Sequence, residues 1–296
     1  MAAIIIDGKA VAAKVRESAK LRTAVLKEKG IVPCLAVVLV GEDPASLSYV
    51  TGKEKALAEA GMLGRDIRLP SATSEAELLS LIETLNADAS VHGILVQLPL
   101  PKHINEDRVI TAIDPVKDVD GFHPVSVGNM VLGRPGFLPC TPHGVLVLLR
   151  ELAIPLSGAH AVVLGRSNIV GKPLANLLSR RDVNATVTVC HTGTKDLAKY
   201  TREADILIAA AGRPGLVTAD MIKSGAAVID VGVNRVSDPR SKKGYRLAGD
   251  VDFDGAVEKA GWITPVPGGV GPMTIAMLMQ NVVEAAEIYS RSISGD

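Results

Sequence analysis

Lys53 is a lysine with no carboxylate at ion-pairing spacing on its own helix. The positions three and four residues away hold Tyr49, Val50, Ala56 and Leu57, none of them a carboxylate. With Asp43 as cap, Pro44 in the first turn and Gly61 just past the end, the stretch reads as a helix. Its spacing then puts Tyr49, Lys53, Leu57 and Ala60 on one small, apolar face. A lysine partly buried there loses solvation of its charged form, so its pKa falls toward neutrality. That makes it an acid–base group able to work near neutral pH. The alternative is a lysine that snorkels to water beside a tyrosine that merely packs in the core.

Further polar groups fall at two places where a ligand would meet a sheet. Gln97 lies in "ILVQLPLP", at the end of a run expected to be a buried strand. Open α/β sheets bind ligands beyond the carboxyl ends of their strands. A glutamine bonded to core backbone is the other reading. Asp118 and Asp120 lie in "DVDG", either as turn formers or as functional carboxylates.

A third feature is the loop "VVLGRSNIVGKP" (162–173), where Gly165 ends a strand and Gly171 opens a helix. Small residues there let backbone approach a pyrophosphate, and the helix N-terminus offers amides and a positive dipole. The loop is not a clean GxGxxG, and a plain strand-to-helix turn reads the same way. The next strand ends "TVCHTGT", with His191 and Thr192 and no carboxylate, while Arg166 sits in the loop. A missing acid with a nearby arginine favours a 2′-phosphate, hence NADP over NAD. His191 as a simple loop cap is the alternative.

The elements that must position these groups alternate. A helix over 9–29, a strand at 34–41, the lysine helix, a strand at 65–70, a capped helix over 73–86, a strand at 91–101 and a helix over 105–113 form βαβαβα. Such chains build twisted parallel sheets. "IIIDG" near the start reads as an edge strand and turn. The Gly- and Pro-rich stretch 114–144 reads as an inter-domain region, followed by a connecting helix over 144–154. A second alternation has strands at 160–165, 185–190, 204–212 and 226–234. An exposed turn is expected at 237–246, then the loop 263–273 and a final helix to about Ser290.

Composition narrows the classes. The 296 residues are 47% hydrophobic, enough for one large or two ordinary domains. Lys plus Arg equals Asp plus Glu at 32 each, so no net field draws nucleic acid or an anionic membrane. Aromatic content of 3% argues against a base-stacking surface. No apolar run approaches the ~18 residues of a membrane span. Three scattered cysteines fit a reducing cytoplasm, and the six histidines show no ligand spacing, so no metal is expected.

The segments "YVTGKEKA", "GILVQLPLP", "KDVDGFHP", "PCTPHG", "GRSNIVGKP" and "ITPVPGGVGPMTIAMLMQN" resemble the bifunctional methylenetetrahydrofolate dehydrogenase/methenyltetrahydrofolate cyclohydrolase family over essentially the whole chain. The resemblance implies a two-domain α/β fold: a catalytic domain with a parallel sheet over 1–140 plus the C-terminal helix 274–296, and a Rossmann-type NADP-binding domain over 141–273, with a cleft between them. It implies oxidation of 5,10-methylenetetrahydrofolate by NADP and hydrolysis of the methenyl product to 10-formyltetrahydrofolate. That chemistry belongs to one-carbon metabolism, tetrahydrofolate interconversion and purine biosynthesis, in a cytoplasmic homodimer. On the resemblance Lys53 is the acid–base group, Tyr49 orients it, Gln97 tunes its charge and Asp120 binds the pterin. Leu98, Pro99 and the loop of Pro265, Gly268, Gly269 and Pro272 line the folate site. Gly165, Arg166, Ser167, Val170, His191 and Thr192 hold NADP, and Val233 packs by the nicotinamide.

Other readings share parts of the pattern. A monofunctional dehydrogenase would not need Tyr49, Lys53 and Gln97 together. An NADP sensor without turnover would need only the second domain. A shikimate-type or amino-acid dehydrogenase would not need "PVPGGVGP".

Overall fold

The computed structural model describes residues 2–42, 44–241 and 244–294, and of residues 44–49 only the backbone. The chain divides into two compact units: residues 1–12 with 141–274, and residues 13–140 with 275–296. The expected cap Asp43 lies outside the described residues.

The chain opens with β1 (Ile4–Ile5), α1 (Gly8–Glu28) and β2 (Cys34–Val40), a seven-residue strand buried throughout. Then come α2 (Pro44–Glu59), β3 (Leu63–Leu69), α3 (Glu75–Ala87), β4 (Gly93–Val96) and α4 (Glu106–Ala112). β2 is the central strand of a parallel three-stranded sheet ordered β3-β2-β4. That explains its unbroken apolar run, since it is covered on both faces. A core of Ala36, Val38, Leu78, Ile82, Ile94 and Val109 packs on it. α3 starts with a capping box, the Ser74 hydroxyl accepting from the Glu77 N–H while Glu77 accepts from the Ser74 N–H.

The stretch 114–144 is more ordered than its Gly and Pro content suggests. It contains α5 (Pro124–Leu132), with His123 as cap, Pro124 in the first turn and Gly133 at φ +67° closing it. α6 (Cys140–Glu151) begins four residues earlier than expected. Residues 117–119 run beside β4, bridging Ile94 to Asp118. Gly93 makes this approach possible, because a Cβ there would lie 2.7 Å from a methyl of Val119.

The other unit continues with β5 (His160–Leu164), α7 (Gly171–Ser179), β6 (Thr186–Cys190), α8 (Leu197–Thr201), β7 (Ile206–Ala209) and β8 (Ala227–Asp230). β9 (Asn234–Ser237) and β10 (Tyr245–Ala248) form an antiparallel hairpin where only an exposed turn was expected. α9 (Phe253–Ala256), β11 (Trp262–Ile263) and α10 (Val270–Ser294) complete the chain. The six-stranded sheet, parallel throughout, is ordered β1-β11-β8-β7-β5-β6.

β1 is an edge strand, as "IIIDG" suggests, but it pairs with β11 and not with the first half of the chain. Residues 1–12 therefore group with 141–274, a correction to the expected first domain of 1–140. All three cysteines are free and buried. No described helix is long and apolar enough to cross a membrane.

Two glycines give opposite expectations for one substitution. Gly93→Ala forces a methyl against Val119 and costs about 1–3 kcal/mol by overpacking. Gly128→Ala, in α5 with nothing within 4 Å of the new methyl, gains up to about 1 kcal/mol of helix propensity. Urea unfolding of the two variants checks the signs.

Candidate active site

The three-stranded sheet changes direction at β2: the chain leaves it through α2 to β3 on one side and returns to β4 on the other. Such a switch opens a crevice at the carboxyl ends of the strands. α2 carries Lys53 out of the end of β2, and Gln97 follows β4 directly. The two meet there, Lys53 Nζ donating to Gln97 Oε1 at 3.0 Å. Gln97 Nε2 donates to the Leu98 carbonyl at 2.8 Å, which turns the amide so that its oxygen faces the lysine. Leu98 and Pro99 follow, joined by a cis peptide bond.

Lys53 is 8% exposed. Burial lowers its pKa, opposed by the charge of Asp120 and, less, by Cys140. The Asp120 carboxyl is pushed up from 3.8 to about 6 by burial, with the Lys53 ammonium pulling the other way. Burial also raises the Cys140 thiol well above its ordinary value, and the neighbouring Asp120 charge adds to it. The arrangement is thus an amine that holds its proton weakly beside a carboxyl that holds its proton tightly. Burial brings the two groups closer in proton affinity than an exposed lysine and aspartate are, which suits them to pass a proton. The Tyr49 side chain lies outside the described residues.

The two aspartates of "DVDG" have different jobs. Asp118, 2% exposed, accepts from the N–H groups of Phe122 and His123 and from the Ser126 hydroxyl at 2.7 Å. It ties down the start of α5 and is the turn former. Asp120 alone stands beside Lys53. Gly121, at φ +74°, turns the chain after it, and a Cβ there would sit 2.7 Å from the backbone of Leu138 and Pro139.

Sequence reasoning missed the residue that fixes this turn. Asn281, 2% exposed on α10, donates from Nδ2 to the carbonyls of Val119 (2.8 Å) and Leu138 (3.1 Å). Those carbonyls lie next to Asp120 and close to Cys140. Its position in "IAMLMQN", an asparagine ending an apolar helical run, was the available signal.

Pro265, Gly268, Gly269 and Pro272 lie in the other unit. The Gly269 N–H donates to the Pro265 carbonyl at 2.9 Å, Gly268 has φ +112°, and Pro272 falls in the first turn of α10. The loop packs on the start of α1, because a Cβ at Gly8 would collide with the Gly269 carbonyl.

The six-stranded sheet has its own switch point at β5, which leads to β6 on one side and β7 on the other. A pocket of about 420 Å³ lies at these strand ends. Gly165, Arg166 and Ser167 line it from β5, His191 and Thr192 from β6, and Arg213 from beyond β7. Gly165, at φ +119°, passes so close to the Ala210 carbonyl that any Cβ would collide with it. The Ser167 hydroxyl accepts from the N–H groups of Val170 (3.2 Å) and Gly171 (3.3 Å), fixing the start of α7.

His191 does cap its loop, Nδ1 accepting from the Gly193 N–H at 3.0 Å. A neutral ring so engaged carries its proton on Nε2, leaving a donor for a ligand. Val170 is the cap residue of α7, and Val233 is exposed beyond β8; neither lines this pocket. Arg213, which the sequence reading did not name, does. A glycine turn without side chains, a helix start and two arginines suit an anionic dinucleotide.

Comparison with known proteins agrees with both halves. Residues 6–120 match the family model for the tetrahydrofolate dehydrogenase/cyclohydrolase catalytic domain, and residues 139–290 match the one for its NAD(P)-binding domain. The bifunctional protein FolD of Exiguobacterium sibiricum is 61% identical over 96% of this chain and 100% of its own. A crystal structure of the FolD methylenetetrahydrofolate dehydrogenase/cyclohydrolase of Campylobacter jejuni has a TM-score of 0.92 at 52% identity, covering 97% of this chain and 99% of the other. The Trypanosoma brucei methylenetetrahydrofolate dehydrogenase-cyclohydrolase, complexed with NADP and an inhibitor, has a TM-score of 0.93 at 42% identity, covering 99% of each chain.

The raised Asp120 carboxyl has a consequence for stability. Between about pH 4 and pH 6 the folded chain holds a proton there that the unfolded chain has released, so stability falls as pH rises through this window. Asp120→Asn lacks that slope. Its melting temperature relative to the unmutated protein climbs from pH 4 to pH 7, equivalent to on the order of 2 kcal/mol. A difference that stays flat across this range would show that the carboxyl is not held in its acid form.

Proposed function

Because the chain belongs to the tetrahydrofolate dehydrogenase/cyclohydrolase family, we infer that it oxidises 5,10-methylenetetrahydrofolate with NADP and hydrolyses the resulting 5,10-methenyl cation to 10-formyltetrahydrofolate. The observation that carries the hydrolytic half is Lys53, buried yet bonded to Gln97 beside Asp120.

The oxidative half demands little acid–base work from the protein. The methylene carbon lies between two folate nitrogens whose lone pairs favour its loss of hydride. NADP, when bound, accepts that hydride. The chain's part is to hold the reactants in line, where effective molarity supplies most of the acceleration. The pocket at β5 fits the dinucleotide: Arg166 and Arg213 supply cationic donors and His191 an N–H. Arg166, beside a strand end without a carboxylate, is the residue we assign to the 2′-phosphate. Gly165, Ser167, Val170 and Thr192 complete the phosphate side in this reading, and Val233 the nicotinamide side.

Hydrolysis needs protons moved. Water adds to the methenyl carbon and must lose a proton as it does so. The carbon–nitrogen bond to N5 then breaks, and N5 must receive a proton. Lys53, its pKa lowered by burial, takes the first proton as the free amine and returns one as the ammonium. Such a group contributes about 10²–10⁴-fold. The Gln97 carbonyl fixes the amine's direction in both states. Asp120 in its acid form donates a hydrogen bond to the pterin, and as the anion it holds the Lys53 charge. Tyr49, one helical turn before Lys53, orients it. Leu98, Pro99 and the Pro265, Gly268, Gly269 and Pro272 loop shape the folate surface.

The three buried, free thiols support a reducing cytoplasm as the setting. We assign the protein there as a homodimer that supplies 10-formyl carbon for purine biosynthesis. Light scattering of the purified protein is expected to give about twice the chain mass of 30.9 kDa, and a monomer mass would refute the dimer.

Both activities are read in one assay series. Methylenetetrahydrofolate is offered with NADP or NAD, and loss of the methenyl chromophore is followed without nucleotide. Lys53→Met is expected to abolish chromophore loss while NADP affinity stays within about twofold; hydrolysis at the unmutated rate in that variant sinks the role of Lys53. Arg166→Ala is expected to lower the preference of kcat/KM for NADP over NAD by about tenfold. Dehydrogenase activity without hydrolysis in the unmutated protein would favour a monofunctional enzyme, and NADP binding with neither activity would favour a sensor.

A further inference from the structure

Two buried carboxylates in the NAD(P)-binding unit have no part in the chemistry above. Asp250, fully buried between β10 and α9, accepts at Oδ2 from the backbone N–H groups of Ala211 (2.6 Å) and Gly212 (2.8 Å). At Oδ1 it accepts from the Asn234 side-chain amide at 2.8 Å. Its own N–H donates to Asp230 Oδ1 at 2.9 Å. Asp230, 4% exposed at the end of β8, also accepts from Gly232 (3.0 Å) and Val251 (2.9 Å).

The packing around them leaves no slack. A Cβ at Gly232 would collide with the Asp250 carboxylate, and one at Gly249 would collide with Asp230. Burial pushes Asp230 up to about 6. Charge-assisted bonds from backbone N–H groups keep such carboxylates satisfied.

What the bonds join gives Asp250 a job. Residues 210–213 lead out of β7, and Ala210, Ala211 and Arg213 line the dinucleotide pocket. Residues 231–234 lead out of β8 and carry Val233. One carboxylate therefore clamps two neighbouring strand-end loops, one by backbone and the other by a side-chain amide. Without it the Ala211 and Gly212 N–H groups would be left to water, and the loop carrying Arg213 would lose its anchor.

We propose that Asp250 is a positioning residue for NADP, holding the 210–213 loop and, through Asn234, the 231–234 loop in the arrangement that receives the dinucleotide. The proposal rests on the NADP reading of the pocket. Asp250 touches neither substrate nor cofactor.

The test compares Asp250→Asn and Asn234→Ala with the unmutated protein by calorimetric titration with NADP in the absence of folate, alongside steady-state kinetics and thermal unfolding. In Asp250→Asn one of the two acceptor sides becomes an NH2 group, so at least one loop loses its partner. Its Kd and KM for NADP are expected to rise about tenfold, with kcat and the KM for methylenetetrahydrofolate each within about twofold. Asn234→Ala removes the bond to Asp250 together with a longer one to the Ala248 carbonyl (3.3 Å) and is expected to raise the NADP Kd about threefold. It also decides the matter if Asp250→Asn does not fold. An unchanged Kd in a folded variant overturns the proposal, as does a loss spread equally over kcat and both KM values. If the unmutated protein binds NADP but does not turn over, the enzymatic reading fails while the Kd comparison still decides the role of Asp250.

Discussion

Keeping an amine out of water is the constraint on which the residues 13–140 and 275–296 unit depends. A lone ammonium in an apolar setting would release its proton and go to waste as a charge. Lys53 is kept useful by two groups that answer different needs. The Gln97 carbonyl gives the amine a partner in either protonation state. Asp120 gives the charged form a counterion, but one that itself holds a proton up to about pH 6. Neither is close to Lys53 in sequence. Both reach it because β2 and β4 are neighbours in a parallel sheet and the 117–119 segment runs alongside β4.

The two units treat their strand-end loops in complementary ways. Near Lys53 the groups needing control are carbonyls, those of Val119 and Leu138, and a buried donor, the Asn281 amide, collects them. At the ends of β7 and β8 the groups are mainly N–H, and a buried acceptor, the Asp250 carboxylate, collects them. Each device replaces water as the partner of loop backbone. A loop so held can present its side chains to a ligand without being reordered first.

Much of this was legible in the residues. The apolar run of β2 announced a buried parallel strand, and the missing partner at Lys53 announced an unusual lysine. What escaped depended on contacts distant in sequence. β1 and β11 are two-residue strands more than 250 positions apart, so nothing local placed residues 1–12 with the far unit. α5 was hidden because its Pro and Gly are helix caps, and its anchor is Asp118 from outside the helix. Asp118 and Asp120 have the same residue type in the same loop, and only the fold decides which one turns toward Lys53. Asn281 and Asp250 act on backbone groups up to 162 and 39 positions away, which no local pattern encodes.

The buried thiols give the molecule three built-in clocks. Cys34 begins β2, Cys140 begins α6 next to Asp120, and Cys190 ends β6 and lines the pocket at the β5 switch point. Each is 1% exposed, so an alkylating reagent reaches its sulfur only during an opening of the surrounding structure. Because the three lie in different places, their labelling rates need not coincide. A ligand that stills the end of β6 slows one clock and leaves the thiol at the start of β2 running at its own pace.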